Sequence, residues 1–214
     1  MFRLLALFGL GLTVPLVALS AFTTINYASS ERARLEGQTR EILDNVVATV
    51  DRELSGQIVM LRVLATSPAL ETKDLSRFRQ QASELAHSEG VAIVLRDRSG
   101  QHLVNTFVAP GLPLPVTENL PDDRAVVDTG QPYISDIFSS VVAQDPRISV
   151  TVPVFRAGEI IGFLSTSQSL SWVQQRLQSE NVVAPNIGVI ADRKGMVIAR
   201  SAQPEVFAGK PVRG

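Results

Sequence analysis

The chain has 214 residues, of which 20 are Lys or Arg and 21 are Asp or Glu, so its formal net charge is −1. A balance this even gives no sign of the clustered basic surface that binds nucleic acid. The sequence contains no cysteine, which excludes disulfides and thiolate metal sites, and its length suffices for one core plus part of another.

The first predicted element is an apolar segment from Leu4 to Ile25, which has 22 residues and no charge. A helix of that length covers a bilayer core of about 30 Å, so we predict a transmembrane signal-anchor over residues 1–26. Arg3 favours a cytoplasmic amino terminus, which puts the bulk of the chain on the periplasmic side of the inner membrane. The alternative is a cleaved signal peptide with a site at Ala18–Ser20, which exports the same remainder.

Residues 27–66 are predicted to form a long stalk helix, with a cap or hinge at Ser29 and Ser30 and a stop at Pro68. Its apolar residues recur at helical spacing: Leu35, Ile42, Val46, Val50, Leu54, Ile58, Leu61 and Ala65. We favour packing of this stripe against a core. The alternative is that part of the stripe is the seam of a homodimer formed through the stalk helices.

A second helix is predicted to begin at Asp74, a good amino-terminal cap, and to end at Gly90 in the left-handed conformation. Residues 91–95 form a β-rich apolar run. We predict a hairpin that joins this run to residues 101–106 through a turn at Asp97–Gly100.

A proline-rich loop at 110–115 separates this hairpin from the next predicted elements. Those elements are a helix over Asp122–Asp128, a short strand at Tyr133–Ser135, an antiparallel pair of Arg147–Phe155 with Ile160–Ser167, and a helix from Ser171 to about Glu180. Ser171 and Gln174 fit a capping box at the start of this last helix.

The strand, turn and strand of the first hairpin recur 95 residues later, at Ile187–Ala199, with Asp192–Gly195 as the turn. A recurrence at this spacing favours two related modules in tandem. The alternative is two unrelated hairpins that share common turn residues.

Together these features resemble a Cache domain, more narrowly the double-Cache, PAS-like sensor region of bacterial transmembrane receptors. The resemblance rests on the order of the elements, the two Asp-Arg-x-Gly turns, Thr129–Pro132 and Val150–Val154. It implies an α+β fold with a five-stranded antiparallel sheet flanked by helices. Residues 67–182 would be the membrane-distal sensor domain, and 183–214 the beginning of a truncated second, membrane-proximal module.

The same resemblance implies a function. Leu61–Leu70 is similar to segments of sensor histidine kinases, so we read the chain as the ligand-sensing input region of such a receptor, with its output domain absent here. The alternative is an anchored or secreted small-molecule-binding protein without an output domain. We predict no catalytic residue, cofactor or metal within the chain, and we expect His87 and His102 to be exposed or half-buried side chains.

The resemblance also implies a small-molecule pocket on one face of the sheet. The candidate lining residues are polar groups on the strands and their connections: Tyr133, Ser135, Asp136, Arg147, Ser149 and Thr151. Arg147 with Asp136 could clamp a carboxylate and an amine. In the alternative, Ser149 and Thr151 form the wet face of an edge strand. Members that bind amino acids carry an Arg-x-Trp-Tyr type signature, which this chain lacks, and we expect Trp172 to pack in a core.

Overall fold

The computed structural model describes residues 2–117, 120–140, 142–180, 182, 184 and 186–212, with only the backbone of 2–18, 21, 25, 28 and 29. Its first element, α1, is one helix from Phe2 to Ala65. The helix continues through residues 29 and 30, where the sequence suggests a cap or hinge. Among the described residues, no helix has the length and hydropathy needed to cross a membrane. The predicted span Leu4–Ile25 lies mostly outside the described side chains, so it stays a prediction.

The other elements follow in short order along the chain. The helices are α2 (Pro68–Glu71), α3 (Leu75–Glu89), α4 (Pro121–Thr129), α5 (Ser171–Ser179) and α6 (Pro204–Phe207). The strands are β1 (Ala92–Asp97), β2 (His102–Asn105), β3 (Tyr133–Ile134), β4 (Phe138–Ser139), β5 (Pro146–Arg156), β6 (Glu159–Ser169), β7 (Val189–Ala191) and β8 (Val197–Arg200).

The main sheet is antiparallel, with the strand order β2-β1-β6-β5-β3, and the two-residue β4 also pairs with β5. The predicted α+β class and antiparallel sheet are therefore confirmed, but the sheet has six described strands and not five, because the short β4 also pairs with β5. Strands β5 and β6 pair from Arg147 opposite Ser169 to Arg156 opposite Glu159, as the alternation of the sequence predicts. Because β3 and β6 flank β5, β5 is an inner strand.

One face of the sheet packs against α1 and α3. Val46, Leu54 and Leu61 of α1 are buried, as the predicted stripe requires, and Ile148 and Val150 of β5 lie in the same interior as Leu54 and Leu61. This packing confirms that the stripe faces a core. The opposite side of α1 carries exposed valines instead, at positions 59 and 63.

The predicted helix caps are confirmed for α3 but not for α5. Asp74 accepts a hydrogen bond from the Arg77 amide at 3.0 Å, and Gly90 ends α3 with φ of 65°, both as predicted. The predicted capping box of α5 is wrong, because no side chain caps that helix. The side chain of Gln174 instead makes two hydrogen bonds of 2.9 Å with the backbone of Arg200 on β8.

The two hairpins have matching geometry. In each turn the aspartate Oδ1 accepts two backbone N–H groups, at 2.8 and 3.1 Å for Asp97 and at 2.9 and 2.8 Å for Asp192. Each hairpin also bridges to a later residue at the same offset, Gln101 to Val116 and Met196 to Pro211. The same pairings at a fixed separation favour the repeat over two unrelated hairpins. Whether a complete second module follows stays a prediction.

A second hydrophobic cluster joins the repeat hairpin to the rest of the fold. Val173 and Leu177 of α5 pack there with Val46 of α1 and Ala199 of β8, all four at 0% exposure. Trp172 is partly buried and lies against both clusters, as expected for a core residue. The long helix, α5 and the repeat hairpin thus share one interior.

Candidate functional site

The sheet face that points away from α1 is lined with polar side chains. Alternation along β5 puts Arg147, Ser149 and Thr151 on this face, opposite the valines of the core. Their exposures of 8%, 7% and 0% show that this face is covered, so the interpretation as the wet face of an edge strand is wrong. Buried polar groups of this kind require hydrogen-bond partners, and the partners define the site.

A cavity of about 280 Å³ lies over this face, enclosed by the sheet, the start of α4 and the segment after β3. Of the predicted site residues, Tyr133, Ser135, Asp136, Arg147 and Ser149 line it. Thr151 does not. Its hydroxyl lies 3.0 Å from the Ser165 hydroxyl, fully buried in the sheet.

Ser135 and Ser149 connect the cavity wall to an acidic residue that the sequence analysis missed. The Ser149 amide donates to the Ser135 hydroxyl, and the Ser149 hydroxyl donates to Asp122 Oδ2 at 2.6 Å. Burial raises the pKa of Asp122, although the hydrogen bond from Ser149 and the attraction of Arg96 and Arg193 oppose that change. Among the described residues, no cation lies within 4.0 Å of its carboxylate. Asp122 lies in the first turn of α4, where the sequence alone suggests the start of a helix and not a site.

Arg96 is the second charged group that the sequence analysis missed, because it falls between the apolar run 91–95 and the turn that begins at Asp97. It is 3% exposed, and its guanidinium donates to Asp123 Oδ2 and to the Ser165 hydroxyl, each at 3.0 Å. Burial raises the pKa of Asp123 to about 6, although the attraction of Arg96 opposes that change. Arg96 and Asp123 therefore form a buried ion pair at the cavity wall.

His102 also lines the cavity, and at 8% exposure it is more buried than the sequence predicts. Asn105 Oδ1 accepts the Phe107 amide at 2.9 Å, which orients the Asn105 NH₂ toward His102 Nδ1 at 3.2 Å. Nδ1 must then accept, so the proton is on Nε2, which donates to Thr117 Oγ1 at 2.8 Å. This neutral form agrees with burial and nearby Arg96, which lower the pKa of His102 to about 4.

The predicted pair of Arg147 and Asp136 lines the cavity, but protein groups already hold both side chains. Arg147 Nε donates to the Ser167 hydroxyl at 3.0 Å, and its Nη1 lies 3.2 Å from the Asp145 carboxylate. Its guanidinium also stacks 5.5 Å from the centre of the Phe107 ring. A ligand carboxylate at Arg147 would have to share it with these groups.

Asp136 is held by the turn of the second hairpin. Arg193 Nε lies 3.0 Å from Asp136 Oδ1, and Lys194 Nζ lies 3.5 Å from Oδ2. Asp192 Oδ2 accepts the Ile137 amide at 3.0 Å, so this turn is fixed to the cavity wall at two places. Lys194 itself lines the cavity. No sequence pattern indicated that the repeat hairpin would contribute to the site.

The fold is shared with several solved sensor domains, although no protein-family model and no curated protein sequence matches the chain. The ligand-binding domain of the Campylobacter jejuni chemoreceptor Tlp3, in complex with L-valine, matches with a TM-score of 0.65 at 16% identity, over 87% of this chain and 78% of that one. The sensor domain of the V. cholerae histidine kinase DctB matches with a TM-score of 0.67 at 14% identity, over 86% and 72%.

A third similar structure is the ligand-binding domain of the Pseudomonas fluorescens chemoreceptor CtaA in complex with L-isoleucine. It has a TM-score of 0.62 at 15% identity and covers 84% of this chain and 73% of that chain. At such identities the likeness establishes the fold alone. The chain has the Cache, PAS-like fold of these sensor domains, as its sequence predicted.

Proposed function

We propose that the chain is the ligand-sensing input region of a transmembrane signal-transduction receptor. The observation that carries the proposal is the cavity of about 280 Å³ on the sheet face opposite α1, where ionisable side chains are buried around an open space. A cavity of this size and polarity suits a small polar molecule. The solved domains of the same fold include ligand-binding domains of chemoreceptors, which supports the same role.

The ligand we propose is a small carboxylate or amine, or a molecule with both groups. Asp122 is the residue we assign to an amine, because its half-buried carboxylate makes no ion pair within 4.0 Å among the described residues and would gain from a charged hydrogen bond. The similar structures hold L-valine, L-isoleucine, L-serine and asparagine, which combine both groups. This chain would bind such a ligand without the Arg-x-Trp-Tyr type signature.

The test is a thermal-shift screen of the full chain against small carboxylates, amines, amino acids and sugars, read from Trp172 fluorescence. A specific ligand should raise the melting temperature in a concentration-dependent way. Asp122→Asn should abolish the shift produced by an amine or amino acid, while Asp128→Asn, on the exposed side of α4, should preserve it. A screen in which no compound shifts the wild-type protein would contradict the proposal.

We further propose that the segment Leu4–Ile25 anchors the chain in the inner membrane, with residues 27–214 in the periplasm. The apolar composition of the segment supports this arrangement. An output region, such as a histidine kinase, would lie outside this chain. Alkaline phosphatase fused after Gly209 should be active in cells, and β-galactosidase fused there should be inactive. The reverse pattern would place the domain in the cytosol.

We also propose a homodimer through the exposed side of α1. The predicted stripe packs in the core, so it is not available for a dimer. The dimer seam would instead involve the exposed valines Val59 and Val63, at 61% and 67% exposure. Cysteines at 59 and 63 should cross-link between copies, and cysteines at Leu54 and Leu61 should not. Transmission requires two states with different ligand affinity, so the cross-linking pattern should change with ligand. An unchanged pattern would favour a binding protein without an output domain.

A further inference from the structure

Lys194 differs from the other cations of the cavity in how firmly it is held. Arg96 and Arg147 are buried, and each makes several hydrogen bonds to protein groups. Lys194 has a side chain that is 69% exposed, and its ion pair with Asp136 is 3.5 Å long. Among the described residues of the cavity lining, it is therefore the cation with the weakest attachment.

Asp136 does not depend on Lys194 for its neutralisation. Arg193 approaches the same carboxylate at 3.0 Å, and it is also fixed to Tyr133 through a 3.2 Å hydrogen bond and a stacking contact at 4.9 Å. If Lys194 turned away, Asp136 would keep a close cationic partner. The cost of moving Lys194 is consequently small, and its flexible stem allows the ammonium group to reorient.

The backbone that presents Lys194 is rigid, in contrast to its side chain. The Lys194 amide donates to Asp192 Oδ1 at 2.9 Å, and the other oxygen of Asp192 accepts the Ile137 amide from the cavity wall. In the first hairpin the equivalent position is Ser99, whose hydroxyl folds back on Asp97 at 2.6 Å. The repeat thus replaces a residue that closes its own turn with one that extends into the cavity.

We infer that Lys194 binds an anionic group of the ligand, so that the second hairpin selects the ligand and contacts it directly. This inference rests on the proposed function of the cavity. An incoming carboxylate would take the ammonium of Lys194, and Arg193 would remain on Asp136. With Asp122 also in the cavity lining and available for an amine, the cavity would distinguish the ligand by both charges.

The same contact links occupancy of the cavity to the interior shared by α1 and α5. Lys194 lies in the turn between β7 and β8, and β8 is tied to α5 by the two hydrogen bonds of Gln174 with Arg200. Val46 of α1 packs in the cluster that Ala199 of β8 completes. A ligand that holds Lys194 would therefore favour one placement of the hairpin relative to α1.

The experiment compares probes that differ only in the anionic group, measured by titration calorimetry on the full chain. The pairs are acetate with acetamide, succinate with succinamide, and L-serine with L-serinamide. At least one carboxylate should bind at least about tenfold more tightly than its amide, as expected for a hydrogen bond to a charged group. Lys194→Met should remove that preference, and Lys194→Arg should retain it. Lys210→Met, an exposed lysine of the same region, is the matched control.

The outcomes separate this inference from the proposed function. Carboxylate binding that is unchanged in Lys194→Met, or amides that all bind wild type as tightly as their carboxylates, would overturn the role of Lys194 and leave the sensing cavity intact. Failure of every probe to bind wild type would overturn both. Because Lys194 is exposed, the variant should melt at the wild-type temperature, which Trp172 fluorescence can verify.

Discussion

Replacement of His102 should change how stability depends on pH. The folded protein keeps this imidazole neutral, with a pKa of about 4 against 6.5 for a free histidine. Since the folded pKa is depressed, the unfolded chain binds a proton first as the pH falls. The stabilisation is therefore complete above pH 6.5 and is lost progressively between pH 6.5 and 4.

The size of this effect follows from the two pKa values. At pH 5 the unfolded imidazole is almost fully protonated and the folded one is not, which corresponds to a loss of about 2 kcal/mol relative to pH 8. Asp123 acts in the opposite direction, because its pKa of about 6 in the folded state lies above its usual value of 3.8. The pH dependence of wild-type stability alone would therefore combine the contributions of His102 and Asp123.

The difference between wild type and His102→Gln isolates the histidine, because Asp123 is present in both proteins. Glutamine can still donate to Thr117, but it leaves the Asn105 NH₂ without its acceptor, a cost of about 1–3 kcal/mol that does not vary with pH. Urea unfolding followed by Trp172 fluorescence should therefore give wild type a larger free energy of unfolding than His102→Gln at pH 8. Its advantage should shrink by about 2 kcal/mol at pH 5.

The control for this experiment is His87→Gln, which alters an exposed histidine on α3. Its difference from wild type should stay within about 0.5 kcal/mol at both pH values. A His102→Gln difference that is the same at pH 8 and pH 5 would refute the assignment of a neutral, buried imidazole. Nitrogen chemical shifts of the ring provide an independent check, since they should show the proton on Nε2.

Three further predictions test the fold by the same unfolding assay. Gly162→Ala should destabilise the fold by about 1–3 kcal/mol, because the added Cβ would collide with the Arg96 carbonyl oxygen; a wild-type value would contradict this close approach of β1 and β6. Leu61→Ala should cost about 2–5 kcal/mol because the side chain is fully buried, whereas Val63→Ala on the exposed side should cost less than about 1 kcal/mol; equal costs would contradict the assigned face of α1. Asp74→Ala should cost about 1 kcal/mol, and no loss would mean that the cap of α3 is dispensable.

Local patterns in the sequence were sufficient for the hairpins and for the side of α1 that packs on the sheet. Asp97 and Asp192 each start a turn that one glycine completes, and such a turn needs only a few adjacent residues. The spacing of Val46, Leu54 and Leu61 likewise places them on one helix face. These features depend on residues within one hairpin turn or a few turns of one helix, so a single sequence can reveal them.

Local sequence patterns could not predict the partners of the buried charges. Alternation correctly placed Arg147 and Ser149 on one face of β5, but it could not show whether that face was covered. Asp122 meets Ser149 across 27 residues, and Arg193 meets Asp136 across 57 residues. Contacts of this range depend on how whole elements pack, and no periodic signal precedes them. For the same reason Asp122, Arg96 and His102 escaped prediction although each lies on a correctly predicted element or next to one.

The arrangement of the charges explains why the second hairpin matters to the cavity. Asp136 is a half-buried carboxylate, and its partners Arg193 and Lys194 come from outside the main sheet. Folding of the wall at residues 133–137 is therefore energetically coupled to docking of the repeat hairpin. Any ligand that changes the charge balance at Asp136 must change how strongly that hairpin is held. Under the proposed function, ligand binding in the cavity would therefore change how stably the hairpin is docked.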